Sequence, residues 1–141
     1  MLLTIEKVII LKTVSIFSEM PEEYLVNIAT LLEEVEVKEG AKIIDQGEMG
    51  SSMYIIVEGK VRIHQEEKTL AILEERNVFG EWAALDPELR AASATALEPV
   101  RLFRLEHESL YDLMAVDIEV VRGIVHFLCQ RLRSFLQQKP S

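Results

Sequence analysis

Apolar positions follow two rhythms along this chain. Residues 4–13 and 21–34 carry them at intervals of three and four; the second segment opens on Pro21-Glu22-Glu23, a favourable first turn, and sets Leu25, Ile28, Ala29 and Leu32 on one face. From Val35 the period drops to two. Val35/Val37, Ile43/Ile44, Met53 to Val57, Val61/Ile63, Leu70/Ile72 and Val100/Leu102 make short runs parted by glycine or charge, as many short strands require. After Glu106 the helical spacing returns, in Ser109 to Met114 and in a long stretch from about Asp117 to Gln138. The pattern predicts N-terminal helices over 1–34, a mainly β middle over 35–106 and C-terminal helices over 107–138. No repeat or low-complexity tract precedes the Lys139-Pro140-Ser141 tail, so the 141 residues read as one domain.

Charge and cysteine content narrow the class of partner. The formal net charge of −9 disfavours a nucleic-acid backbone, whose recognition needs a basic face. It also repels a small anion at long range, so an anion site must be a local arrangement of a cation or two with backbone N–H groups. Cys129 is the single cysteine and cannot form an internal disulfide, which suits a reducing compartment. The opening Met1-Leu2-Leu3-Thr4-Ile5-Glu6-Lys7 lacks a basic signal-peptide start, and no run approaches the ~18 apolar residues of a membrane span. A soluble, cytoplasmic chain is expected.

Glycines punctuate the β middle at 40, 47, 50, 59 and 80, where a roll turns its corners. The segment Ile43-Ile44-Asp45-Gln46-Gly47-Glu48-Met49-Gly50-Ser51-Ser52-Met53-Tyr54-Ile55-Ile56-Val57-Glu58-Gly59 resembles the first signature of the cyclic-nucleotide-binding domain family. Phe79-Gly80-Glu81-Trp82-Ala83-Ala84-Leu85, followed by Arg90-Ala91-Ala92-Ser93, resembles that family's phosphate-binding cassette, here 79–93. The resemblance, to the modules of catabolite activator protein and of protein kinase A regulatory subunits, covers nearly the whole chain. It implies an antiparallel, jelly-roll-like β-roll with flanking helices and a short cassette helix.

Residue chemistry agrees with that implication. A cyclic phosphate spreads one negative charge over two exocyclic oxygens, which a planar guanidinium such as that of Arg90 can pair with. The turn after Gly80 would aim its first N–H groups at the same anion. By resemblance, Arg90 holds the phosphate, Glu81 the ribose 2′-hydroxyl, and the N–H groups of Ala83 and Ala91 complete the cage, with Ala92 small enough for close approach. Ile63 and Leu70 align with apolar strand residues that line the base pocket in relatives. Relatives that favour cGMP typically carry a hydroxyl residue directly after the arginine; Ala91 stands there, so cAMP is the expected ligand and cGMP the alternative. Asp86 or Glu88 is expected to hold Arg90 when the site is empty. Trp82 reads as a packing residue.

Ile118, Val121, Val125, Leu128, Leu132 and Phe135 form a heptad seam, with Val120, Ile124 and Phe127 beside it. So wide an apolar arc is expected to pack on its own domain, and dimerisation through the same helix is compatible with that. His64, His107 and His126 have no second ligand at metal spacing, Cys129 reads as buried or half-buried filler, and no nucleophile or acid–base pair stands out. The expected function is a non-enzymatic sensor needing no cofactor, relaying cyclic-nucleotide binding through its last helix to a larger chain or a partner. A catabolite-activator-type regulator, which would need a helix-turn-helix after that helix, is a less expected reading. The competing reading is a docking or dimerisation module that has lost its ligand, favoured by two departures: Ala84 in place of a larger aliphatic residue, and the acidic loop Asp86-Pro87-Glu88-Leu89.

Overall fold

A computed structural model describes residues 2–137; the expected helix end at Gln138 and the tail beyond it lie outside the described residues. The chain divides into two compact units, one over 31–111 and one made of 2–30 with 112–137.

The first unit is a β-roll. Its strands are β1 (Glu33–Val37), β2 (Lys42–Ile44), β3 (Met49–Gly50), β4 (Ser52–Glu58), β5 (Val61–Gln65), β6 (Lys68–Leu73), β7 (Val78–Phe79), β8 (Glu88–Leu89), β9 (Ser93–Ala96) and β10 (Val100–Glu106). They form one antiparallel sheet of order β1-β10-β4-β7, a second of order β2-β9-β5-β6, and the β3-β8 ribbon. Both larger sheets contribute to one core, in which Tyr54, Ile56, Phe79, Val100 and Leu102 meet Val61, Ala94 and Ala96. Tyr54 and Phe79 stack at 5.1 Å between ring centroids. A five-residue helix, α3 (Glu81–Leu85), interrupts the strands after β7.

The second unit is helical. It contains α1 (Thr4–Leu11), α2 (Glu22–Ala29), the later residues of α4 (His107–Val116), and α5 (Ile118–Gln137). Its buried apolar residues include Leu11, Phe17, Leu25, Ile28, Val120, Ile124 and Phe127. Gly123 lets α5 come close to Met20, whose Cε would lie 2.6 Å from a Cβ placed there. The break between α4 and α5 has a local cause: the Asp117 carboxylate accepts the Glu119 N–H at 3.1 Å, as an N-cap does. No helix among the described residues is long and apolar enough to cross a membrane.

Three expectations are corrected. The second helix stops at Ala29 instead of 34, because the Glu33-Glu34-Val35 stretch is claimed by pairing with β10, where Glu33 faces Arg104 and their side chains meet at 3.2 Å. The heptad seam of α5 is not the packed face. Leu132 and Phe135 are 59% and 66% exposed, and the neighbouring stripe of Val120, Ile124 and Phe127 is the buried one. Cys129 is exposed.

Candidate functional site

A cavity of about 380 Å³ opens in the β-roll, within the size range of small-molecule sites. One wall is aliphatic and comes from the second sheet, with Ile44 of β2, Ile63 of β5 and Ala71 and Leu73 of β6. The rest of the lining includes the charged side chains: Gly80, Glu81 and Trp82 at the start of α3, and the 88–92 segment that carries Glu88 and Arg90. Such a cavity suits a ligand with a flat apolar end and an anionic end.

Six residues singled out from the sequence, Ile63, Gly80, Glu81, Arg90, Ala91 and Ala92, meet around this one cavity although they span thirty positions of chain. Trp82 joins them at the rim, 40% exposed, where packing alone was expected. Two do not reach it. Ala83 is buried behind the wall, and its N–H donates to the Gly80 carbonyl at 3.1 Å. Leu70 is 46% exposed on the outer face of β6. Alternation along the strand explains the difference: Ala71 faces Ile63 and Leu73 faces Val61 across the ladder, so these two, and not Leu70 and Ile72, turn inward.

Arg90 is fixed at both backbone and side chain. Its N–H donates to the Glu48 carbonyl at 2.8 Å, and its own carbonyl accepts the Gly47 N–H at 2.9 Å. The guanidinium lies between two glycines. A Cβ at Gly50 would fall on Arg90 Nε and Cζ, and one at Gly80 would sit 2.6 Å from Nη1. Gly80 is also held at φ +74°, a left-handed conformation that glycine adopts without strain and that turns the chain from β7 into α3. Nη2 donates to the Ser52 carbonyl at 2.8 Å. Arg90 makes no ion pair with Asp86 or Glu88, contrary to expectation; the neutral Ser52 carbonyl is its acceptor and leaves its charge uncompensated by those acids. Ala91 is held from the side, its carbonyl accepting Gln65 Nε2 at 3.0 Å. Ala84, the smaller residue of the cassette, is fully buried and outside the cavity lining, so its size alters the packing beneath α3 and not the wall.

The cavity, its aliphatic wall and its glycine-seated arginine occur in a segment that a family model for the cyclic nucleotide-binding domain matches over residues 34–117. The chain belongs to this family. The match begins one residue into β1 and ends just past α4. Among similar proteins is a CRP-like cAMP-activated global transcriptional regulator of Mycobacterium tuberculosis, 30% identical over 129 residues, covering 88% of this chain and 58% of the regulator. The chain thus spans little more than half of that relative. The N-terminal domain of a transcriptional regulator from Streptomyces coelicolor superposes with a TM-score of 0.85 at 27% identity, covering 91% of this chain and 93% of that one. The cAMP-bound PfPKA-R gives a TM-score of 0.72 at 29% identity, over 78% of this chain and 41% of its own.

Proposed function

We propose that the cavity binds a cyclic nucleotide, cAMP in preference to cGMP, and that the protein is a sensor without catalytic activity whose output lies in a larger chain or a partner. The observation that carries this reading is the seating of Arg90: an arginine packed between Gly50 and Gly80, bonded to a neutral carbonyl and facing a cavity, is poised to exchange that carbonyl for an anion. Arg90 pairs with the phosphate, Glu81 accepts from the ribose 2′-hydroxyl, the N–H groups near Gly80, Ala91 and Ala92 approach the phosphate, and Ile63, Ala71 and Leu73 cover the base. The cAMP-activated mycobacterial relative and the cAMP-bound PfPKA-R support the same ligand. A calorimetric titration with cAMP and with cGMP tests it. Saturable binding of cAMP is expected, and binding of neither would favour the docking module.

Ligand choice rests on Ala91, which offers the base edge no side-chain donor. Ala91→Thr is expected to shift the ratio of the two Kd values toward cGMP by about 1 kcal/mol, the worth of one neutral hydrogen bond. An unchanged ratio would mean that this position does not read the base.

The relay is assigned to the C-terminal helix, and a second copy of the chain to its exposed seam. Val125, Leu128, Leu132 and Phe135 recur at heptad spacing on the solvent side of α5. Leu128→Glu is expected to give a folded monomer by light scattering with unchanged circular dichroism; a wild type that is monomeric at high concentration would remove the dimer. A cytoplasmic setting fits this soluble-ligand role.

A further inference from the structure

The cassette helix α3 carries Glu81 and Trp82 of the cavity wall at its first end; at its other end Ala84 and Leu85 present carbonyls that no further turn can satisfy. Two side chains one turn apart on α4 take them. His107 Nδ1 lies 2.8 Å from the Ala84 carbonyl, and because a carbonyl only accepts, Nδ1 carries the hydrogen. Tyr111 donates its hydroxyl to the Leu85 carbonyl at 2.6 Å. The rings lie 4.1 Å apart, so each limits the other's freedom. His107 also donates its backbone N–H to the Ser51 carbonyl at 2.7 Å, next to Ser52, the acceptor of Arg90. One residue thus grips both the strand behind Arg90 and the helix bearing Glu81, while Leu110, fully buried between the two side chains in sequence, fixes the turn they project from.

We infer that His107 and Tyr111 are positioning residues of the ligand site: without touching the cavity, they hold α3 where Glu81 meets a ligand anchored on Arg90, and so set its affinity. This rests on the ligand reading proposed above. By linkage, an occupied cavity strengthens the two bonds by the same factor that they strengthen binding. Residues 107–111 belong to the roll and the rest of α4 to the helical unit, so the hold lies where the chain passes from one to the other.

The test measures the Kd for cAMP by calorimetry and, without ligand, amide hydrogen exchange in α3, β4 and β10. Tyr111→Phe and His107→Ala are each expected to weaken binding about fivefold and the double variant about twentyfold, as for one and two neutral hydrogen bonds. Exchange in α3 should quicken while β4 and β10 keep their protection. His107→Asn, whose side-chain amide stands close to Nδ1, should restore most of the affinity. Wild-type Kd and wild-type α3 exchange in the double variant would overturn the inference, and so would a loss of protection spread over β4 and β10, which marks a general structural role. If wild type binds neither cAMP nor cGMP, the ligand reading fails, and α3 exchange in the unliganded variants still decides whether these residues hold the helix.

Discussion

Arg90→Ala is expected to abolish most of the thermal stabilisation that cAMP gives the wild-type protein. A ligand that binds only the folded state adds RT ln(1 + [L]/Kd), about 4 kcal/mol at a thousandfold excess over Kd, enough to raise Tm by several degrees. Removing the guanidinium leaves the phosphate desolvated and unpaired, a loss of ~2–5 kcal/mol in binding. Glu81→Ala removes one charge-assisted bond, worth ~1.5–3 kcal/mol, and should leave part of the shift. In the unliganded protein the Arg90 guanidinium makes one hydrogen bond, to the Ser52 carbonyl, and the residue is only partly buried, so loss of the side chain should cost about 1–2 kcal/mol there. The decisive comparison is Tm for wild type and both variants, with and without cAMP. A wild type that shows no shift with cAMP into the millimolar range would sink the cAMP reading. An Arg90→Ala protein that keeps the full shift would move the phosphate contact elsewhere.

The roll was legible because its strands advertise themselves in two ways. Six short apolar runs mark β1, β2, β4, β5, β6 and β10, and all six occur at those places. The strands that no apolar run marks are β3, β7 and β8, two residues each, and β9, Ser93-Ala94-Thr95-Ala96, whose small and hydroxyl residues carry no hydrophobic alternation. Their existence depends on partners distant in sequence. β3 pairs with β8 across almost forty residues, a relation that no local pattern records.

The site shows the same division. Gly80, Glu81, Arg90, Ala91 and Ala92 lie in a compact cassette, so short-range spacing was enough to group them. The aliphatic wall is less legible, since aligning Leu70 by spacing with apolar strand residues of relatives does not fix which face of β6 it takes; only the pairing of Ala71 with Ile63 shows which side faces inward. Arg90's surroundings were misjudged for a related reason. Asp86 and Glu88 are near it in sequence, yet β8 carries the loop so that neither pairs with it, and its acceptor, the Ser52 carbonyl, lies thirty-eight residues away. Nearness along the chain favours an ion pair, whereas the fold supplies a backbone carbonyl. A heptad seam likewise announces an apolar face on α5 without stating which of two adjacent stripes packs inward.

Gly50 yields the second large effect, and its reasoning depends on the geometry around Arg90. The sequence offered it as one more turn glycine, but it is paired within the β3-β8 ribbon opposite Glu88, and its φ is outside the left-handed region. Alanine can adopt that backbone without strain, so the conflict falls on the side chain next to it: a Cβ would meet Arg90 Cδ at 2.7 Å and overlie Nε and Cζ. Gly50→Ala should therefore fold and push the guanidinium off the Ser52 carbonyl. Its ligand affinity should drop by an amount close to that of Arg90→Ala, again ~2–5 kcal/mol. The double variant separates this from an unrelated defect. If Gly50 acts only by seating Arg90, the two losses are not additive, and Gly50→Ala/Arg90→Ala binds cAMP no more weakly than Arg90→Ala alone. Losses that sum would show that Gly50 serves the ligand, or the fold, by another route; a Gly50→Ala protein with wild-type affinity would show that Arg90 reaches the phosphate from a position other than the cleft between the two glycines.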